Sequence, residues 1–191
     1  MEWNLIPGKY NVENEENPIA IVTLNSELSF EYEPVAIWGK IMTENLGLTR
    51  VLSNILSNPN IRHLIVCGKE VRGHFPGDAF LSLFKNGYEI NSGNVSIKDT
   101  IAADPRLPIK EDSMEEVYSR LKNQITLINL IGETDLKEIS KSVKSCLEKR
   151  LKPLDSPFII NFKKTKDAII IEEDVALHPK IILKYNKIYK R

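Results

Sequence analysis

Ile19-Ala20-Ile21-Val22-Thr23-Leu24 is an unbroken, largely β-branched run, the pattern of a strand buried on both faces. Val35 to Ile41 predicts a weaker second strand, and Ile61 to Gly68 a third, central one. Between these two, Leu48, Val51, Leu52, Ile55 and Leu56 recur at intervals of three and four, which predicts a helix with one buried face. Thr43 is its expected N-cap, and Asn58-Pro59-Asn60 its stop. Ala79, Phe80, Leu83 and Phe84 predict a short amphipathic helix ended by Asn86-Gly87. Ser113-Met114-Glu115-Glu116 has the form of a capping box opening a helix that uses Val117 and Leu121. Ile125 to Ile131 reads as a strand. A last helix starts at Thr134, with Leu136, Ile139, Val143, Cys146 and Leu147 on one face.

This alternation predicts an α/β fold, a mostly parallel sheet with helices on both faces. After Pro153 the character changes. Phe158 to Phe162, Ala168 to Ile171 and Lys180 to Leu183 predict three strands, a small C-terminal β-rich segment. The expected division is residues 1–152 and a 153–191 extension. Gly87 to Asp112 shows no helical period and is expected to be a lid or a binding loop, in reach of anything bound at the turn before it.

Composition narrows the class. Of 191 residues, 42% are hydrophobic and 27% charged, ordinary values for a folded domain. Lys+Arg and Asp+Glu both number 26, and this zero net charge argues against a general nucleic-acid or anionic-membrane binder. The charge is uneven: residues 151–191 carry nine Lys/Arg against five Asp/Glu, so the extension is basic. It reads as a solvated tail or as a docking surface for an acidic partner. Two cysteines, Cys67 and Cys146, make no disulfide framework and suit a reducing compartment. The N-terminus has no signal-peptide pattern, and no run of about 18 apolar residues occurs, so a cytoplasmic protein without a membrane span is expected.

Gly68-Lys69-Glu70-Val71-Arg72-Gly73-His74-Phe75-Pro76-Gly77 lies where the third strand gives way to a helix. In open α/β sheets ligands bind outside the C-terminal strand ends. The glycine spacing Gly68-x-x-x-x-Gly73 matches a Walker loop, but His74-Phe75 stand where Lys and then Ser or Thr are needed. The dinucleotide fingerprint, His-Glu-x-x-His and Cys-x-x-Cys are all missing. What remains is His74. Its imidazole is a metal ligand or a general acid/base by chemistry, and its alternative role is to cap the following helix. His63 and His178 read as structural or solvated. Thr43-Glu44-Asn45 sits at another strand end, so Glu44 or Glu70 is placed to accept the second ring proton of His74 and orient it. The plainer roles are a dipole-favoured carboxylate for Glu44 and surface ion pairs for Lys69, Glu70 and Arg72.

Five blocks occur in order: Pro7-Gly8-Lys9-Tyr10, Ile21-Val22-Thr23-Leu24, Thr43-Glu44-Asn45-Leu46-Gly47, Ser57-Asn58-Pro59-Asn60-Ile61-Arg62, and Cys67-Gly68-Lys69-Glu70-Val71-x-Gly73-His74-x-x-Gly77. In them the chain resembles, over about residues 5–150, the corrinoid-carrying A subunit of the methanogenic methyl-tetrahydromethanopterin:coenzyme M methyltransferase. The resemblance implies a Rossmann-like domain over 1–152 that binds a cobamide (cobalamin), with His74 as lower axial cobalt ligand. It implies a cofactor-binding set of Thr43, Glu44, Asn45, Leu46, Gly47, Gly68, Glu70, Val71, Gly73, His74, Phe75, Pro76 and Gly77, with backbone close to the ring at the three loop glycines and Phe75 and Pro76 packed on it. The implied activity is carriage of a methyl group on cobalt from a tetrahydromethanopterin-type donor to a thiol-type acceptor such as coenzyme M, alongside methyltransferase partner subunits.

The chain also departs from the patterns it resembles. Better-known cobalamin modules carry Asp-x-His-x-x-Gly, whereas Arg72 stands two before His74 here, so the hydrogen bond to the imidazole has to come from elsewhere. Asn94 to Pro108 keeps only fragments of the family's later loop. Membrane-bound members end in a hydrophobic helix, and the basic segment here leads to the expectation of a cytoplasmic homologue without a direct role in sodium pumping. Two other expectations stand beside it: a non-corrinoid regulatory or scaffold protein on the same fold, and an enzyme in which His74 does acid/base work on a folate-like pterin.

Overall fold

The computed structural model describes residues 3–162 in full and the backbone alone of 181–184 and 187–190. Three parallel neighbours form the heart of the sheet: β2 (Ile19–Val22), β4 (His63–Gly68) and β8 (Thr126–Ile131). β3 (Ile37–Gly39) adds in parallel beyond β2, and β1 (Tyr10–Val12) closes that edge antiparallel. The strand order is β1-β3-β2-β4-β8. The predicted central strand is central, and both its neighbours supply register partners along its length.

Alternation along the strands sorts side chains to two cores. Ala20, Val22, Leu64 and Val66 face the helices α1 (Leu46–Leu56), α2 (Pro76–Asn86) and α3 (Glu111–Gln124). Ile19, Ile21, Ile65 and Cys67 face α4 (Leu136–Glu148) and the loop residues Phe30 and Val35. Both faces are thus covered, which is why these strands read as continuous apolar runs rather than alternating ones. Among the described residues no helix is long and apolar enough to cross a membrane.

Gly87 to Asp112 departs from the expected loop. It holds an antiparallel sheet of β5 (Tyr88–Asn91), β6 (Asn94–Ile97) and β7 (Arg106–Leu107). Ser92 and Gly93, both at positive φ, form the two-residue turn between β5 and β6, a geometry that matches strand twist. Val95, Ile97 and Leu107 are buried beneath this sheet and join the larger core. The longest irregular stretch left in the region is 98–105.

Helix starts also move. Thr43 is not the N-cap residue of α1. Asn45 is, accepting from the Leu46 N–H at 2.6 Å, while the Thr43 hydroxyl takes the Gly47 N–H at 3.0 Å. α3 starts at Glu111 rather than at Ser113. Lys110 is its N-cap, and Glu111 and Asp112 place negative charge in the first turn, where the helix dipole favours it. Phe158 to Phe162 is not a strand but an extended segment with one bridge, Ile109 to Phe162, and with Ile160 buried against the main body. Ala168 to Ile171 and His178 lie outside the described residues. Of the third predicted C-terminal strand, Ile181–Lys184 (β9) is present, paired antiparallel with Lys187–Lys190 (β10).

Candidate functional site

The chain runs from β2 to β3 on one side and returns through α1 to β4 on the other, so the sheet reverses between β2 and β4. Ligand crevices open at such switch points, beyond the C-terminal strand ends. Gly68 ends β4 there. Its φ is +83°, and a Cβ would stand 2.2 Å from the Thr23 carbonyl oxygen, so glycine is demanded by the β2 backbone. The Asn25 N–H donates to the Lys69 carbonyl at 3.0 Å and the Lys69 N–H to the Ser26 hydroxyl at 2.9 Å, which tie the loop after β2 to the loop after β4.

That second loop is a tight turn. The Val71 carbonyl accepts from the N–H groups of His74 (3.1 Å) and Phe75 (3.0 Å). Gly73 supplies the positive φ, +87°, that such a turn needs at its third residue. Among the described residues no atom lies within 4 Å of its missing Cβ, so Gly73 answers to torsion and not to space. Phe75 is left-handed as well (φ 48°), and Pro76 opens α2 at its first position, where no N–H is needed. No side chain at the N-cap satisfies the helix. Glu70 does so from outside, its carboxylate accepting from Gly77 (3.1 Å) and Asp78 (2.7 Å) N–H groups. A Cβ on Gly77 would collide with that carboxylate at 2.7 Å. Glu70 therefore fixes the helix start, and Val71, Pro76 and Gly77 are buried beneath the turn.

The turn raises His74 to the rim with its side chain half exposed. It does not cap α2. Its Nδ1 lies 2.9 Å from an oxygen of Glu44, which is 1% exposed. A carboxylate only accepts, so Nδ1–H is the donor, and Nε2 points away with no hydrogen-bond partner among the described residues. Glu44 thus supplies the bond that Arg72 cannot. Its other oxygen accepts the Asp104 N–H at 2.6 Å, so the buried carboxylate is satisfied at both ends.

Asp104 belongs to the loop that remains between β6 and β7. The Arg106 guanidinium, bonded to Asp104 at 2.6 and 2.9 Å, holds its carboxyl below the usual range, with help from the Asn45 side chain. At the other end of the same loop, Asp78 accepts from the Thr100 hydroxyl (2.6 Å) and the Ile101 N–H (2.9 Å). The loop is strapped down over the rim by Glu44 and Asp78. Ile101 stands 68% exposed upon it, and Leu46, at the start of α1, is 56% exposed. Gly47, behind Leu46, is hemmed in by Ile41 and Thr43. Asp78, Thr100, Ile101 and Asp104 had no sequence signal, because main-chain contacts to a loop leave no motif. Cys67 is buried, and its thiol is pushed up to about 12 by that burial and by Glu133, which makes it an inert core side chain.

The sequence profile of the family described as the A subunit of tetrahydromethanopterin S-methyltransferase matches residues 1–169. The chain belongs to this family. It is 37% identical over 150 residues to tetrahydromethanopterin S-methyltransferase A subunit 2 of Methanothermobacter thermautotrophicus, covering 76% of this chain and 78% of that one. The A subunit of Methanohalophilus mahii is 39% identical over 83% of this chain and 65% of its own length. That of Methanocaldococcus jannaschii is 36% identical over 91% of this chain and 71% of its own. The span matched by the family profile includes both Glu44 and His74.

Proposed function

We propose that this member of the family binds a cobamide on the strand-end rim, with Nε2 of His74 as the lower axial ligand of cobalt, and carries a methyl group there between methyltransferase partner subunits. The observation that supports this reading is the division within one imidazole: Nδ1 is engaged by a buried carboxylate and Nε2 is left open at the surface. The donor set fits. Among the described residues no group of three or more His, Cys, Asp or Glu is placed to hold a bare ion, so a metal on His74 brings its other donors with it, as a corrin ring does.

A bound cobamide supplies a cobalt centre that takes up and releases a methyl group. The protein's own residues do the positioning. Glu44 keeps the proton on Nδ1 and fixes the ring plane, which presents a lone pair rather than an N–H to the ligand. The Val71 turn sets the height of the imidazole. The strap from Asp99 to Asp104 keeps Ile101 in place, and with Leu46 it offers apolar surface to a flat macrocycle. Thr43, Asn45 and Gly47 hold the turn that carries Glu44, and Gly68, Glu70 and Gly77 hold the one that carries His74. The relatives' name supports a tetrahydromethanopterin-type donor, and a thiol-type acceptor such as coenzyme M is part of the same proposal. Equilibrium dialysis against cobalamin tests the reading: the parent retains one equivalent and a folded His74→Ala variant does not. Equal retention by both contradicts it.

A further inference from the structure

β8 is the last strand of the main sheet, and among the described residues nothing pairs with its outer edge. The N–H groups of Thr126 and Gly132 donate to the carbonyls of Arg62 and Gly68, both at 2.8 Å, at the two ends of the ladder with β4. Alternation then turns the main-chain groups of Leu127, Asn129 and Ile131 outward. The Ile131 N–H is taken by the Asn129 side chain at 3.1 Å, and those of Leu127 and Asn129 face the open edge. The strand carries no charge and no proline, the devices that keep sheet edges apart.

We propose that a second copy of this chain pairs here, β8 antiparallel to β8 about a two-fold axis through Asn129, which joins the two five-stranded sheets into one. In that register Asn129 meets its twin, Ile128 meets Leu130 and Leu127 meets Ile131. The strand is thus its own complement: apolar side chains meet apolar ones, and outward main-chain groups meet outward ones.

Charge favours a copy of the chain over an unrelated strand. The axis stands perpendicular to the sheet, so α4 of one copy runs antiparallel beside α4 of the other. The Ser140 hydroxyl donates to Glu33, in the loop after β2, at 2.7 Å, which marks one flank of α4 as turned away from β8. With about 3.6 residues per turn, the opposite flank carries Glu138, Ser142, Ser145 and Lys149. It has an acid near its start, a base at its end and two small side chains between. Antiparallel apposition places each Glu138 toward the other copy's Lys149. Glu138 is bonded to Lys141 at 2.6 Å, an exposed pair that costs little to exchange. The pairing also turns the two strand-end rims to opposite ends of the joined sheet, so neither copy covers the other's His74.

Analytical ultracentrifugation of the full chain, from micromolar concentrations upward, tests the assignment. The parent is expected to sediment with the mass of two chains. Asn129→Pro removes an outward N–H and no bond to β4, and the folded variant is expected to be a monomer. Where that variant does not fold, the charged flank decides. Glu138→Lys and Lys149→Glu are each expected to weaken dimerisation about threefold or more, and the two together to restore it to within about twofold of the parent. A parent that stays monomeric, a folded Asn129→Pro variant that stays dimeric, or a double variant no tighter than the singles overturns the assignment.

Discussion

His63 and His74 stand at opposite ends of β4 and of the chemistry available to an imidazole. His63, at the N-terminal end, is fully buried on the α4 side, and neither ring nitrogen has a hydrogen-bond partner among the described residues. His74, beyond the C-terminal end, is half exposed, with one nitrogen held and the other open. One strand thus carries a histidine that has given up its polar chemistry to packing and one whose polar chemistry has been sorted atom by atom. The difference is made by place: at the C-terminal rim the Glu44 carboxylate reaches the His74 ring, whereas among the described residues no polar group reaches His63.

The comparison breaks most visibly through cross-substitution. His74→Ala is expected to weaken cobamide binding by more than about 100-fold, beyond what loss of a group supporting a ligand costs. It should also lower the unfolding free energy by about 1–3 kcal/mol, because it leaves one oxygen of the buried Glu44 carboxylate without its donor. Glu44→Gln keeps an acceptor for Asp104 but loses the charge behind Nδ1. Binding by dialysis is expected to fall about 10–100-fold, and a full-strength binder would remove Glu44 from the account.

His63→Leu is the mirror experiment. It removes two unbonded buried nitrogens and keeps the volume, so urea unfolding should show a gain of about 1 kcal/mol with binding unchanged. A loss of stability would mean that the imidazole has a partner in solution. Burial first, then the charges of Lys149 and Arg62, lower the pKa of His63 in the folded state. The unfolded chain therefore takes the proton first. Stability is complete above the unfolded value, about 6.5, and declines as pH falls below it until the folded value is passed. His63→Leu should flatten that part of the profile. The smallest effect belongs to Arg72, exposed at the position where an aspartate supports the histidine in other cobalamin modules. Arg72→Ala should change stability by less than about 0.5 kcal/mol and leave the cobamide affinity where it was.

Much of this was legible in the chain. β2 and β4, buried on both faces, read as apolar runs, and β8 kept such a run although it is only partly buried at the sheet edge; the spacing in α1, α2 and α4 marked their inner faces, except that Leu136 at the start of α4 is exposed. His74 and its two possible carboxylates were visible because glycines and a strand end flank them. The choice of Glu44 over Glu70 was not, since it depends on Glu70 being occupied with the start of α2. The small β5–β7 sheet was missed although Ser92-Gly93 and the buried alternation of Val95 and Ile97 signalled a hairpin. Its third strand is only Arg106–Leu107, too short to leave a pattern. The strap escaped because what fixes it are single N–H groups of Ile101 and Asp104, and every residue but proline has one.

The visible spectrum of the protein loaded with methylcobinamide tests the central claim most directly. That corrinoid carries no base of its own, so any nitrogen beneath its cobalt comes from the protein. Ligation by His74 predicts a shift to the bands of a base-coordinated corrinoid in the parent, absent in His74→Ala. A parent spectrum identical to that of free methylcobinamide, with the cofactor bound, would contradict it.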